Sequence, residues 1–124
     1  MAEFRAALRT FLRRSEKIAR GSGLTPQRYM LLLMIKGARD GSERSTVTEL
    51  AKRLQLAQST VTELVRRAEG AGLVTRETSS ADARVALLGL TEEGEQRLAR
   101  SFTELASERR ALREAVANLE TVDA

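Results

Sequence analysis

Apolar and polar positions follow a helical period over most of this chain and a strand period in one short stretch. In residues 2–20, Phe4, Leu8, Phe11, Leu12, Ser15, Ile18 and Ala19 share one helical stripe. Arg5, Arg9, Arg13 and Lys17 recur every four residues on another face. Gly21-Ser22-Gly23 marks the stop. A second helix opens with Thr25 as cap and Pro26 at the first helical position, where a missing N–H costs nothing. It carries Met30, Leu31, Leu33, Met34 and Ile35, apolar on most sides, and belongs at the centre of a core. Residues 37–42 read as a polar, glycine-containing loop.

Thr46-Val47-Thr48-Glu49 has the form of a capping box, in which the Thr hydroxyl accepts from the N3 amide and the Glu carboxylate from the cap amide. It opens a short helix with Val47, Leu50, Ala51 and Leu54 inward. Gln55-Leu56-Ala57 interrupts the period, and another helix follows over residues 58–71. Two short helices joined so briefly predict a helix-turn-helix. Gly72 stops the second one. Residues 73–78 and 84–90 read as two strands joined by a polar turn. Thr91 then caps a further helix, with Glu92 and Glu93 at the positive end of its dipole. Beyond it Leu98, Leu105, Leu112 and Leu119 lie seven apart, with Phe102 and Val116 filling the stripe and Arg109 its one charged member. Such a heptad pattern calls for a helical partner. Ser107 followed by Glu108 predicts a bend or a break in this segment.

At 124 residues the chain fits one domain, or one domain with an oligomerisation element. Aromatic residues make up only 3%, so the core must be aliphatic. No apolar run approaches the ~20 residues that span a bilayer, and the charged N-terminus is unlike a signal peptide; no membrane partner and a cytoplasmic location are the expectation. Neither Cys nor His occurs. That removes disulfides, thiol redox sensing, a Cys nucleophile, a Ser-His triad and the common zinc sites. No spacing points to an enzyme, a metal or a cofactor. The net charge is +4, with six basic against two acidic residues in 1–20, seven against five in 44–84, and five against eight in 91–124. The positive excess in the first two thirds suits a polyanion, although an arginine-rich composition alone also arises from GC-rich coding.

The helix at residues 58–71 buries Val61, Leu64, Val65 and Ala68 on one face. The other collects Ser59, Thr60, Thr62, Glu63, Arg66 and Arg67, with Gln58 at its start. An α-helix fits the DNA major groove, where hydroxyl and guanidinium groups meet base edges and phosphates. Taken alone, such a face is equally a solvated surface. The capped helix before it and the hairpin after it shift the balance towards contact.

Three stretches, "GLTPQRYMLLLMI", "TVTELAKRLQLAQSTVTELVRRAEGAGLVTR" and "DARVALLGLTEEG", carry a resemblance to the MarR family of bacterial transcriptional regulators. Its most specific piece is Asp82-x-Arg84 followed by Leu90-Thr91-x-x-Gly94. The resemblance implies a mainly α fold with a small β-hairpin wing. It implies a winged helix-turn-helix DNA-binding lobe over residues 25–94 within a single domain, 1–124. Residues 1–20 and 95–120 become N- and C-terminal dimerisation helices, with packing inside one chain as the alternative. The basic stripe of the first helix then faces solvent or makes intersubunit ion pairs.

By the same resemblance Arg84 enters the minor groove, whose narrow form attracts a guanidinium, and Asp82 holds the wing in shape. Arg76 pairs with Asp82 or with a phosphate. Ala57 stands where a Ser often caps the recognition helix, so Ser59 is expected to cap it and start the helix slightly later. Ala68 stands for a larger Leu, and Gly89 for a polar residue. The function implied is a homodimeric, sequence-specific DNA-binding regulator, a repressor on a pseudo-palindromic double-stranded operator. A small aromatic or amphipathic ligand would release it, with Phe11, Tyr29, Met30 and Met34 as pocket walls or plain core residues. The alternative is a winged-helix protein-interaction module without sequence-specific DNA binding.

Overall fold

Burial of the aliphatic stripes orders the chain into α1 (Ala2–Gly21), α2 (Pro26–Lys36), α3 (Val47–Leu54), α4 (Gln58–Gly70), β1 (Val74–Thr78), β2 (Ala86–Leu90), α5 (Glu92–Glu104) and α6 (Ala106–Val122). The computed structural model describes residues 1–122. They form two compact units: residues 27–98, and residues 1–26 with those from 99 onward. The mainly helical fold with one antiparallel hairpin is the one the sequence pattern predicts.

In the unit of residues 27–98, α2 is buried along most of its surface, with Leu31, Leu32 and Ile35 fully enclosed. Leu50 of α3, Val61 and Val65 of α4, Leu73 and Leu88 complete the interior. Each such side chain contributes about 1.5–3 kcal/mol by leaving water. The capping box at the start of α3 is formed: the Glu49 amide donates to Thr46 Oγ1 at 3.1 Å and the Thr46 amide to Glu49 Oε1 at 3.2 Å. Gln55 closes the helix in the left-handed region, φ 57°, and its N–H reaches the Ala51 and Lys52 carbonyls. The chain thereby reverses within three residues and starts α4.

The expected cap by Ser59 is not made. The helix begins at Gln58, two residues before a Ser59 cap would start it, with Ala57 in the cap position and no side-chain cap bond. The extended backbone of Ala57 makes the entry, and its carbonyl accepts from the Val61 amide at 3.1 Å. Burial of Val61, Leu64 and Val65 then fixes the helix on the core. Ala68 is also fully enclosed, so its small side chain leaves no exposed gap.

The strands pair antiparallel from Val74↔Leu90 to Thr78↔Ala86. Ser45 adds a single bridge on the far side of β2, exchanging both backbone bonds with Leu88 at 2.8 and 3.1 Å. Arg84 and Val85, read as strand from the sequence, belong instead to the tip, where the Val85 amide bonds the Asp82 carbonyl. Gly89 has a structural reason: a Cβ there would lie 2.7 Å from Arg44 Nε, and that guanidinium crosses the strand to Glu77 at 2.8 Å. The Leu90-Thr91-x-x-Gly94 motif is a joint. Thr91 Oγ1 accepts from the Gly94 amide at 3.0 Å and donates to the Gly72 carbonyl at 2.6 Å.

In the other unit α1 packs along α6. Ile18, Ala19, Leu105 and Ala115 are buried. Ser101 donates to Ser22 at 3.0 Å in the interior, and Arg14 pairs with Glu108 at 3.2 Å outside it. The predicted interruption is a break at Leu105 between α5 and α6. Arg109, the charged member of the heptad stripe, lies over the Phe102 ring at 3.5 Å and donates to the Phe102 carbonyl. Leu12, Phe102 and Val116 stay 48%, 50% and 40% exposed. No described helix is long and apolar enough to cross a membrane.

Candidate nucleic-acid interface

The helix-turn-helix presents α4 with its polar face outward. Val61, Leu64, Val65 and Ala68 hold it from beneath. Gln58, Ser59, Thr60, Thr62, Arg66 and Arg67 are exposed, and Glu63 is half-buried among them. Hydroxyls therefore occupy the first turns and cations the later ones. Gln58 Nε2 donates to Thr48 Oγ1 at 3.4 Å, linking the starts of α3 and α4. Gln27, from the first turn of α2, joins Ser59, Thr60, Glu63 and Arg67 around a shallow cleft of about 350 Å³. The sequence reading missed Gln27, because only the tertiary packing of α2 against α4 brings it there.

The two arginines of α4 are not free cations. Glu63 accepts from Arg66 Nε at 2.9 Å and Nη2 at 2.6 Å, and from Arg67 Nε at 3.1 Å. The Arg66 bond, and then that of Arg67, lowers the Glu63 carboxyl to about 2. The i,i+3 and i,i+4 spacing of these residues is the signal that foretells the cluster.

The hairpin tip is shaped by its acid. Asp82 Oδ1 accepts from the Arg84 backbone amide at 3.0 Å and from Arg84 Nε at 3.2 Å, while Oδ2 receives Nη2 at 3.3 Å. The Arg84 guanidinium holds the Asp82 carboxyl below its ordinary value. Ser79 tightens the same turn, its amide bonding the Val85 carbonyl and its hydroxyl the Ala81 amide. The Arg84 side chain is nonetheless 91% exposed. Asp82 thus holds both the backbone root and one edge of the guanidinium, and the rest of the side chain faces solvent.

Arg76 does not pair with Asp82. Its Nη2 donates to Glu69 Oε1 at 2.7 Å, because the turn at Gly72 folds the start of β1 back along the last turn of α4. Of the residues named as ligand-pocket walls, Tyr29 is buried while Met30 and Met34 are half-buried, all on α2. Phe11, half-buried on α1, belongs to the other unit. Among the described residues no cluster of carboxylates is arranged to hold a metal ion.

A family model described as MarR family matches residues 22–85, just over half of the chain. Among solved structures, the transcriptional regulator Tm0710 from Thermotoga maritima is 27% identical, with a TM-score of 0.70 over 93% of this chain and 76% of that one. A mutant MarR from E. coli complexed with operator DNA is 21% identical, with a TM-score of 0.74 over 95% and 86%. A mutant MepR from S. aureus bound to an oligodeoxyribonucleotide is 22% identical, with a TM-score of 0.71 over 96% and 91%. No curated protein matches the sequence. With a helix-turn-helix, an arginine-tipped hairpin and the matching family model in one chain, the protein belongs to the MarR family.

Proposed function

We propose that this protein is a homodimeric, sequence-specific DNA-binding regulator of transcription that acts as a repressor by occupying promoter DNA. One observation carries the reading: α4 exposes hydroxyls and guanidinium groups on one face, and the hairpin extends Arg84 from an anchored root. α4 enters the major groove, where Ser59, Thr60 and Thr62 meet base edges or phosphates and Arg66 and Arg67 supply charge. Arg84 enters the neighbouring minor groove, where the potential is most negative. Asp82 positions it. Gln58 secures the start of α4, and Arg76, held by Glu69, flanks the hairpin. DNA-bound members of the family, the E. coli MarR mutant and the S. aureus MepR mutant, support this assignment.

The winged lobe corresponds to residues 25–94, and the helices at 1–20 and 95–120 supply the dimer contact. Support comes from the apolar stripe that α1, α5 and α6 leave open at Leu12, Phe102 and Val116. A twofold dimer places two copies of α4 in major grooves one turn, about 34–36 Å, apart. The protein acts in the cytoplasm and without catalysis. A small aromatic or amphipathic molecule releases it by binding one helix spacing better than the other; without that difference nothing shifts.

The test begins by selecting duplexes from a random pool with the purified protein. Binding to the winning duplex is then titrated against salt. A steep fall of affinity, one increment for each phosphate neutralised, is the expected result. Failure to enrich any sequence, with salt-independent binding to another protein, would favour an interaction module instead.

A further inference from the structure

The structure leaves one feature of α4 that plain electrostatic attraction does not need. An acid sits at the centre of the face assigned to DNA and takes up the two nearest cations. Glu63 engages two donors of Arg66 and one of Arg67 at 2.6–3.1 Å. A phosphate is an acceptor that every DNA sequence offers in the same place. For Arg66 to leave Glu63 for a phosphate exchanges one anion for another. It also leaves the Glu63 carboxylate with Arg67 alone, facing a negatively charged groove. Contact with arbitrary DNA is thereby disfavoured.

The balance changes only where the DNA supplies a donor for the carboxylate. In the major groove that donor is the exocyclic amino group of cytosine (N4) or of adenine (N6). Cytosine is the usual partner of a carboxylate, since adenine is read by side chains that both donate and accept. A guanine nearby then offers O6 and N7 to the released guanidinium in the same forked geometry that Glu63 offers it. Resting on the DNA-binding reading above, we propose that Glu63 is a specificity-determining residue. It withholds Arg66 and Arg67 from the phosphates of unrelated DNA and releases them where a cytosine amino group binds its carboxylate.

The test uses the full-length protein with Glu63→Gln and Glu63→Ala, each checked for unchanged helix content. Binding is measured to a duplex selected by the wild type, to variants of it with each C·G pair replaced in turn, and to an unrelated duplex. Both substitutions are expected to raise affinity for the unrelated duplex and to steepen its salt dependence by about one phosphate equivalent per protomer. The preference for the selected duplex should fall by about tenfold or more. Selection repeated with Glu63→Gln should lose a C·G pair from the consensus. If both variants keep the wild-type preference within twofold and recover the same consensus, the proposal is overturned while DNA binding stands. If the wild type binds no duplex, both readings fall together.

Discussion

Gly94 offers a sharp test of how the winged unit is locked. It lies in the first turn of α5, where replacing glycine by alanine in an open helix adds up to about 1 kcal/mol of stability. Here the sign should reverse. A Cβ on Gly94 would stand 2.3 Å from the carbonyl oxygen of Leu73. A carbon–oxygen contact ordinarily opens to about 3.3 Å, so the helix and the Leu73 turn must part by roughly 1 Å. Both sides are backbone, and no side chain can swing away to relieve the contact. The separation strains two bonds of the same joint: the Thr91 amide to the Leu73 carbonyl at 3.0 Å and Thr91 Oγ1 to the Gly72 carbonyl at 2.6 Å. Overpacking of this kind costs about 1–3 kcal/mol, and each weakened bond forfeits up to about 1 kcal/mol. After the helix-propensity gain, Gly94→Ala should lose about 1–3 kcal/mol. Gly70→Ala is the control, since nothing lies within 4 Å of a Cβ built there and the residue ends α4. It should be neutral or stabilising by less than about 1 kcal/mol. Urea unfolding at one fixed protein concentration reads both. A Gly94→Ala protein as stable as the wild type would refute the joint.

Other consequences are as direct. Thr46→Ala removes the capping box of α3 and should cost about 1 kcal/mol in the same unfolding assay. Arg84→Ala should weaken binding to a selected duplex about tenfold or more, measured by fluorescence anisotropy, with folding and dimer formation unchanged. Glu63 should titrate near 2 by carboxyl NMR, moving to its ordinary range in an Arg66→Ala, Arg67→Ala double variant. Because its folded value lies below the unfolded one, its contribution to stability is present above about pH 4.5 and is lost as pH falls towards 2.

Local bonds made the fold readable. The Thr46–Glu49 box, the Thr91 cap and the four-residue rhythm of Val61, Leu64, Val65 and Ala68 each depend on residues close in sequence. So does the Glu63 cluster, whose i,i+3 and i,i+4 spacing carries the signal although the ion pairs are not drawn from it in the sequence reading. What escaped depends on the tertiary meeting of distant segments. Arg76 has several acids within reach on paper, and only the fold at Gly72 selects Glu69. Gly89 looks like an unfilled position until Arg44, from the loop after α2, is seen lying across it towards Glu77. Gln27 joins the α4 face for the same reason. The expected Ser59 cap fails because extended backbone at Ala57 suffices to open α4 at Gln58.

The central claim is that two copies of α4 and two hairpin tips grip one duplex together. Hydroxyl-radical footprinting of the wild type on a selected duplex tests it most directly. The account predicts a pattern symmetric about a centre, with two recognition segments one helical turn apart (about 10 base pairs) and flanking minor-groove protection that vanishes with Arg84→Ala. A single asymmetric patch, or flanking protection that survives that substitution, would contradict it.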